Sequence, residues 1–264
     1  MYRTGVPSVT IRFYEELNDF LPEDQRKNAF AVQFAPGCTI KALVEDLGVP
    51  HTEIDLVLAN GESVAFDFRL GDGDHVSVFP VFESWDLTGL SRVRPTPLRE
   101  TRFALDVHLG KLARLLRRFG FDASYRNTAA DEEIVREARR ERRIILTRDR
   151  GLLKRRAVTH GYLVRSSLPQ EQLAEVIRRF DCRGQVRMFT RCIECNRPLT
   201  RIDAKEAAAR VPAVVAAAYS DFSACEGCGR VFWRGSHWER MKKLAAEVLD
   251  SDLDSSDRQA SLSP

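Results

Sequence analysis

Four of the six cysteines occur as two close pairs, and these pairs constrain the fold more than any other feature of the sequence. One pair is Cys192 and Cys195, the other is Cys225 and Cys228, and each pair encloses two residues. A two-residue gap lets one tight turn aim two thiolates at one ion, and four thiolates satisfy zinc in its tetrahedral arrangement. The sequence therefore predicts a structural zinc ribbon with the four cysteines as ligands.

The residue that follows each cysteine pair supports this interpretation. Such a turn needs a left-handed residue after its second cysteine, and Asn196 and Gly229 belong to the two residue types that adopt this conformation most easily. Redox pairs or a disulfide framework are the alternatives, but neither pair lies in a βαβ setting, and a long chain without a secretion signal rarely depends on disulfides. Four cysteines leave zinc no open position, so we expect any chemistry elsewhere in the chain.

The length of the chain indicates how many compact units it forms, and its N-terminus indicates where it is located. With 264 residues, of which 44% are hydrophobic, the chain suits two or three compact units. Its first residues lack the basic, apolar and small-residue succession of a signal peptide, and the longest apolar stretch, residues 211–219, is far too short to span a bilayer. We therefore expect a cytoplasmic protein without a membrane partner.

Charge is distributed unevenly along the chain. Residues 1–90 contain 6 basic and 15 acidic side chains, a net charge of −9, whereas residues 91–181 contain 22 basic and 12 acidic ones, a net charge of +10. A strongly basic middle segment predicts a polyanionic partner such as RNA, although a solvated basic face would give the same counts. The acidic segment could shield this basic segment or serve another purpose.

Residues 1–82 are predicted to form a small ubiquitin-like β-grasp domain. Apolar residues alternate with polar ones in its strands, Thr39 is a suitable cap for its helix, and Asn60-Gly61 is a hairpin turn signal. The expected elements are strands at 9–13 and 30–34, a helix at 40–47, and strands at 54–58 and 75–82.

This first segment also resembles a known family. The run from Ile11 to Pro22, with residues 48–53 and 73–80, is similar to the ubiquitin-like domain found fused to Mut-seven C-terminal RNase domains. Sulfur carriers with a β-grasp fold end in a free Gly-Gly, whereas this chain continues through Phe82-Glu83-Ser84-Trp85. Carrier chemistry is therefore excluded, and we expect a docking or solubilising module, with a protein partner for this acidic domain.

Strands and helices alternate in residues 100–182, beyond a linker at 83–99. This alternation predicts a doubly wound parallel sheet, in which ligands bind outside the carboxyl ends of the strands. Asp106 follows the first strand, Asp149 follows the third, and Asp131 opens the helix after the second. Each aspartate alone could be a helix cap or a turn residue, but together at one rim they indicate a site for Mg²⁺ or Mn²⁺. The expected strands are 102–105, 123–126, 144–147 and 161–164, and the expected helices are 109–119, 131–141, a short one from 151, and 170–180.

The same residues carry a second resemblance. The runs Phe103 to Gly120, Asp131 to Ile134 and Ile144 to Asp149 are similar to the Mut-seven C-terminal RNase family, a branch of the PIN-like nucleases, and the cysteine pairs match its ribbon. The resemblance implies a ribonuclease whose metal-binding, catalytic set consists of the three aspartates named above. Glu132 and Glu133 are candidates for an additional acidic ligand. Thr147 could orient a metal-bound water, or it could be an ordinary β-branched strand residue.

Two groups of basic and aromatic side chains are candidates for contact with RNA. The first group shares the face of the 109–119 helix that lies away from its apolar stripe, where the side chains could follow a phosphate backbone. The second group lies beside the second cysteine pair and combines positive charge with surfaces for base stacking. Solvated surface and packing against the ribbon are the alternatives. The candidates are Lys111, Arg114, Arg118, Arg234, His237 and Trp238.

The zinc ribbon is expected at 183–248. It contains an alanine-rich insertion, residues 203–219, that is predicted to form a helix broken or kinked near Pro212. The polar residues 249–264 are predicted to be a disordered tail. The sequence thus predicts a multidomain α/β protein that acts as a metal-dependent ribonuclease. The alternative is a catalytically inactive RNA-binding or ribosome-associated adaptor, in which the carboxylates are only caps.

Overall fold

The computed structural model describes residues 6–80, 91–93 and 101–250. The predicted linker at 83–99, apart from residues 91–93, lies outside the described residues, as do residues 251–264 of the predicted tail and residues 81–82 of the last predicted β-grasp strand. The chain divides into two compact units, and each unit combines segments that are distant in the sequence. The first contains residues 1–100 and 130–163, and the second contains residues 101–129 and 164–264.

The described residues form twelve strands and eight α-helices, with short 3-10 helices between them. The strands are β1 (Ser8–Phe13), β2 (Ala29–Gln33), β3 (Ile54–Ala59), β4 (Glu62–Ser63), β5 (His75–Pro80), β6 (Arg102–Leu105), β7 (Asp122–Tyr125), β8 (Ile144–Thr147), β9 (Gly161–Leu163), β10 (Thr200–Ile202), β11 (Phe222–Ala224) and β12 (Val231–Trp233). The helices are α1 (Ile40–Asp46), α2 (Gly110–Arg118), α3 (Asp131–Glu141), α4 (Arg150–Lys154), α5 (Pro169–Arg179), α6 (Ala204–Ala208), α7 (Ala213–Ala218) and α8 (Ser236–Asp250). Short 3-10 helices occur at Glu15–Phe20, Glu23–Gln25, His51–Glu53, Val107–Leu109 and Arg183–Gln185.

Within the described residues, no helix has both the length and the apolar character that crossing a membrane would require.

The first unit contains a five-stranded sheet with the order β2-β1-β5-β3-β4. Strands β1 and β5 are parallel, and the other neighbours are antiparallel. In β1 the alternate residues Val9, Ile11 and Phe13 are at most 1% exposed, as expected for a strand with one buried face. Helix α1 is capped by Thr39, whose hydroxyl accepts the Ala42 N–H at 3.3 Å. This arrangement confirms the predicted ubiquitin-like β-grasp.

A hairpin adds one strand that the sequence does not predict. Asn60 and Gly61 have φ angles of 53° and 86°, and they form the tight turn between β3 and β4. The turn signal is therefore confirmed. The two-residue strand β4 gives no hydrophobic alternation by which it could be recognised.

Residues 130–163 pack with the β-grasp domain in the first unit. Here β8 and β9 form a parallel pair, and α3 and α4 pack against β8. Polar contacts join this segment to the β-grasp domain. The Leu163 N–H donates to Glu53 Oε1 at 2.7 Å, and His51 Nε2 lies 2.8 Å from the Val158 carbonyl oxygen. Lys154 Nζ in α4 donates to the Glu45 carbonyl oxygen in α1 at 2.6 Å. The β-grasp domain is thus an integral part of a compact unit.

The second unit combines a parallel strand pair with an antiparallel sheet. Strands β6 and β7 pair in parallel, and α2 packs against β7 and α5. Strands β10, β11 and β12 form a three-stranded antiparallel sheet. The alanine-rich insertion is two short helices, because Pro212 directly precedes α7 and cannot continue α6. The predicted break near this proline is confirmed.

Helix α8 is a difference from the sequence prediction. Its residues Leu244, Ala245 and Val248 are buried, and the helix packs against α5. It extends to Asp250, so the first two residues of the predicted disordered tail are helical. Three buried side chains at helical spacing explain why this segment forms a helix against the rest of the unit.

Candidate functional site

The four paired cysteines converge in the second unit. Their sulfur atoms all lie within 4.8 Å of one another. The Sγ atoms of Cys192 and Cys228 are 3.6 Å apart, and those of Cys195 and Cys225 are 3.2 Å apart. Four sulfurs bound tetrahedrally to zinc at about 2.3 Å would be separated by about 3.8 Å. The cluster has the ligand type, number and spacing of a structural zinc site, and these cysteines could bind zinc, as the sequence predicts.

Two equivalent turns present the sulfur atoms. The Asn196 N–H donates to the Cys192 carbonyl oxygen at 3.0 Å, and the Gly229 N–H donates to the Cys225 carbonyl oxygen at 2.8 Å. The φ angles of Asn196 and Gly229 are 67° and 71°, which confirms the predicted left-handed residues. Burial raises the pKa of the Cys192 thiol to about 12. A cation bound at this sulfur would favour its thiolate form.

A buried arginine holds the first of these turns. Arg117 is 4% exposed, and its Nε donates to the Ala123 carbonyl oxygen at 2.8 Å. Its Nη1 donates to the carbonyl oxygens of Ile193 at 3.0 Å and of Glu194 at 2.8 Å. Burial lowers the pKa of Arg117, and the fixed fork of guanidinium donors suits such multiple contacts. Sequence reasoning missed this residue, because its neighbours in the chain resemble those of an exposed arginine on an amphipathic helix.

A side chain in the first turn also connects the cysteine cluster to β7. Asn196 Oδ1 accepts the Ala123 N–H at 3.0 Å, and Asn196 Nδ2 donates to Asp122 Oδ1 at 2.6 Å. Arg191 Nη2 lies 3.6 Å from the other oxygen of Asp122. Asn196 therefore has two roles, since its backbone forms the turn and its amide fixes the turn against the strand.

The predicted RNA-contacting residues of α2 differ in their surroundings. Lys111 is exposed. Arg114 Nη2 lies 3.2 Å from Glu194 Oε2, and Arg118 Nη1 donates to Met241 Sδ at 3.7 Å. Burial lowers the pKa of Arg118. Two of the three side chains thus contact the cysteine-bearing region or α8, and a role for them with RNA stays a prediction.

The aromatic candidates beside the second cysteine pair are packed together. The Trp238 ring lies between the Phe189 ring, with centroids 4.4 Å apart, and the guanidinium of Arg234, 4.5 Å from its centroid. Arg234 Nε also lies 3.1 Å from Asp221 Oδ2. The side chain of His237 lies outside the described part of the chain. Packing therefore occupies Trp238, as one of the two sequence interpretations expects, and RNA contact by this group stays a prediction.

Asp106 is buried in a loop directly after β6. It is 4% exposed, and its Oδ1 accepts the His108 N–H at 2.7 Å. Tyr125 Oη donates to the Val107 carbonyl oxygen at 3.1 Å. A Cβ atom at Gly110 would lie 2.6 Å from this same Tyr125 Oη, so only glycine allows the approach. Tyr125 and Gly110 fix the loop that carries Asp106, and the sequence gives no signal that distinguishes them.

Asp149 caps helix α4 in the first unit. Its Oδ1 accepts the Gly151 N–H at 2.7 Å, as the capping interpretation predicts. Thr147, which is fully buried, accepts the Asp149 N–H at 2.8 Å with its hydroxyl. The structure thus gives Thr147 a role in fixing the backbone of Asp149. Its predicted role in orienting a water molecule is a separate function and stays a prediction.

The remaining acidic candidates lie in the first turn of α3. The cap is Ala130, so the interpretation of Asp131 as the cap is wrong, because the helix already includes Asp131 as its first residue. Glu133 Oε2 accepts the Ala130 N–H at 3.3 Å, so this backbone donor at the start of the helix has a partner. Arg155 connects the other two carboxylates, with Nη2 at 3.1 Å from Asp131 Oδ2 and Nη1 at 2.7 Å from Glu132 Oε1. The hydrogen bond from Arg155 lowers the pKa of Glu132.

Comparisons with known proteins agree with this architecture. Residues 101–245 match the family described as the Mut7-C RNAse domain, and residues 6–86 match the family described as Mut7-C ubiquitin. Because the first match covers more than half of the chain, the chain belongs to the Mut7-C RNase domain family and carries the ubiquitin-like domain at its N-terminal side. Membership in this family indicates a nuclease-like function.

The chain was also compared with solved structures and with curated proteins. The crystal structure of SAMP1 from Haloferax volcanii is similar to part of this chain, with 19% sequence identity and a TM-score of 0.23. The similarity covers 30% of this chain and 99% of that protein. No curated protein matches the chain.

Proposed function

We propose that the protein is a metal-dependent ribonuclease that cleaves phosphodiester bonds of RNA. The observation that carries the proposal is the match of residues 101–245 to an RNase domain. The strongly basic composition of residues 91–181 supports it, because a polyanionic substrate is attracted to positive charge.

Asp106, Asp131 and Asp149 are proposed to bind Mg²⁺ or Mn²⁺. Carboxylate oxygens are the ligands that these hard cations prefer, so the residue types fit. The hydrogen bonds to Asp106 and Asp149 are compatible with metal binding, since one carboxylate has about four acceptor positions. A divalent cation held there would activate water and stabilise the leaving oxygen. The chain itself would fix Asp106 through Tyr125 and Gly110, and the backbone of Asp149 through Thr147.

The cysteine cluster is proposed to bind one structural zinc ion, which leaves no open position for catalysis. The ribbon would then support RNA or partner binding through Arg234 and Trp238, which stack on each other beside the second cysteine pair. The protein would act in the cytoplasm, as the sequence predicts.

An inactive RNA-binding adaptor is the second candidate function. The specific observations in its favour are that Asp149 caps α4 and that Asp131 forms an ion pair with Arg155. Both contacts give these carboxylates a structural use without a metal. The two functions differ in one respect that can be measured, because an adaptor binds RNA without cleaving it in any metal.

The substitution Asp149→Asn tests the proposed ribonuclease. Asparagine caps helices as well as aspartate does, so the melting temperature should stay within about 2 °C of the wild type. It removes a negative ligand, so cleavage of a mixed RNA panel in Mn²⁺ should fall by roughly 100-fold or more. RNA affinity in EDTA should not change.

Asp203 offers a matched control for this experiment. It caps α6 by accepting the Glu206 N–H at 2.7 Å, so Asp203→Asn makes the same chemical change at a cap outside the candidate set. This control should cleave RNA at the wild-type rate. A folded Asp149→Asn protein with wild-type activity would contradict the proposed site. Wild-type protein that binds RNA and cleaves none with any divalent metal would favour the adaptor.

A further inference from the structure

A groove in the first unit is lined mainly by arginines. Its volume is about 620 Å³, within the range of about 300–1,000 Å³ that is typical of ligand sites. Arg136 and Arg139 contribute from α3, Arg155 and Arg156 contribute from the segment after α4, and Val135 is part of the apolar wall. Glu132 is the single acidic residue of the lining. We call this feature the arginine groove.

Helical geometry brings the side chains from α3 to the same face. Glu132, Arg136 and Arg139 are separated by four and then three residues, so they follow one another along one side of the helix. Residues three apart advance about 4.5 Å along a helix axis. The arginines therefore form a row that an extended, regularly charged chain could follow.

Most of the positive charge in this groove is not neutralised by the protein. In residues 6–80, 91–93 and 101–250, which the structure describes, Arg136, Arg139 and Arg156 form no ion pair with a carboxylate. All three are exposed. Arginines held side by side repel one another, and a bound polyanion would relieve this repulsion. The planar guanidinium also matches the geometry of phosphate oxygens.

The fourth arginine connects the groove to a candidate metal ligand. Arg155 lines the groove, and its two Nη atoms contact Asp131 and Glu132 at 3.1 and 2.7 Å. A chain lying on the arginines would thus come close to Asp131, at the start of the same helix. The charge and the location of the groove therefore point to the same ligand.

We propose that the arginine groove binds the phosphodiester backbone of single-stranded RNA and leads it towards Asp131. This inference rests on the proposed function for the identity of the polymer. Contacts to phosphates would hold the RNA without reading its sequence. Arg136, Arg139 and Arg156 supply these contacts, and Arg155 links them to the first turn of α3.

Equilibrium binding of the full-length protein to a fluorescent single-stranded RNA tests this inference. The measurement is made in EDTA, so it does not require cleavage, and it is repeated over a range of salt concentrations. Arg139→Gln and Arg136→Gln should each weaken binding about 3- to 10-fold at low salt. Each should also lower the salt dependence, log Kd against log salt, by about 0.7, the contribution of one phosphate contact in a single strand.

Arg140 provides the matched control, because it follows Arg139 on the same helix but pairs with Glu141 outside the groove. Arg140→Gln removes the same charge and should change RNA affinity less than 2-fold. Equal weakening by Arg139→Gln and Arg140→Gln would overturn the proposal, as would wild-type protein that does not bind RNA at low salt.

Two further results test whether the groove binds RNA or a small anion, and whether RNA binding holds without cleavage. Inorganic phosphate should displace the RNA no better than chloride at equal ionic strength. Displacement by millimolar phosphate would instead identify a site for a small free anion and overturn the RNA proposal. Weaker RNA binding by Arg139→Gln than by Arg140→Gln, together with a wild-type protein that never cleaves, would support the groove and reject the ribonuclease.

Discussion

The cysteine cluster and the three candidate aspartates are both sets of metal ligands, but the chain brings their members into position by different means. Each pair of cysteines belongs to one short turn, closed by a left-handed residue at Asn196 or Gly229. The aspartates lie 25 and 18 residues apart, after β6, at the start of α3 and before α4, and each makes its own local contacts. Spacing in the sequence therefore predicts the first set directly, whereas it predicts the second only through a fold.

Even the cysteine cluster depends on residues outside its turns. Arg117 binds the carbonyl oxygens of Ile193 and Glu194, although 76 and 77 residues separate these partners. Asn196 binds Asp122 across 74 residues. Local turns thus give the ligands their mutual geometry, and distant residues fix the first turn in the second unit.

The largest effect is expected from loss of a cysteine ligand. Cys195→Ser and Cys228→Ser should each reduce the zinc content from one ion per chain to nearly none and unfold the ribbon, because structural zinc binding contributes about 10–16 kcal/mol to folding. Elemental analysis and thermal unfolding measure both results. Cys38→Ser changes a cysteine of the first unit and should keep the zinc. Full zinc content in both ligand variants would show that the pairs do not form the site.

A smaller effect is expected when the turns stay intact but their support is removed. Arg117→Gln leaves buried carbonyl oxygens without their donor, so we expect a loss of about 3 kcal/mol in the free energy of unfolding. Zinc should still bind, with an affinity about 10- to 100-fold lower, as for other groups that orient metal ligands. Denaturant unfolding and competition with a chelator measure these changes.

Arg114→Gln is the control for this variant. Arg114 pairs with Glu194 on the surface, where its side chain is 58% exposed, so its removal should change stability by only about 0.5 kcal/mol. Wild-type stability and zinc affinity in Arg117→Gln would mean that the local turns are sufficient by themselves. The distant contacts of Arg117 would then contribute nothing to the geometry of the cysteine ligands.

The smallest effect concerns a contact that exists only between distant segments. Burial lowers the pKa of His51, with Lys41 acting in the same direction and the Val158 carbonyl and Glu45 acting against it. The folded protein therefore binds fewer protons than the unfolded chain below about pH 6.5, the ordinary pKa of histidine. Stability is unaffected above this pH and falls as the pH decreases through it.

Melting temperatures between pH 7.5 and 5 measure this effect. His51→Gln removes the titrating group, so its melting temperature should decrease less on acidification than that of the wild type. His75→Gln, at an exposed histidine in β5, controls for the replacement of a histidine in general. Parallel pH profiles for the wild type and His51→Gln would show that protonation of His51 does not govern acid sensitivity.

Much of the fold could be predicted because its signals are local. The alternation in β1, the cap at Thr39 and the break at Pro212 each depend on residues within a few positions of one another. Helix α8 could not be predicted in the same way. Its aromatic and basic residues suggested RNA contact, and its stability comes from burying Leu244 and its neighbours against α5.

The residues of the candidate sites also differ in whether a local sequence pattern predicts them. The cysteine ligands and the capping role of Asp149 follow from short sequence patterns. Arg117, Tyr125 and Arg155 could not be predicted, because each has its partners on other elements and no local pattern marks it. The arginine groove has no local sequence pattern either, because it forms only where one face of α3 lies beside the residues after α4.

The contact between Glu53 and Leu163 has a consequence for the order of folding during synthesis. Glu53 is 1% exposed and accepts the N–H of a residue 110 positions later. All five strands of the β-grasp sheet are complete at Pro80, and at about 5–20 residues per second the next 83 residues take roughly 4 to 17 s to make. During these seconds the β-grasp domain lacks the Leu163 N–H that donates to Glu53 in the finished protein. Until β9 emerges, the 3-10 helix His51–Glu53 also lacks the strand that packs against it in the finished protein.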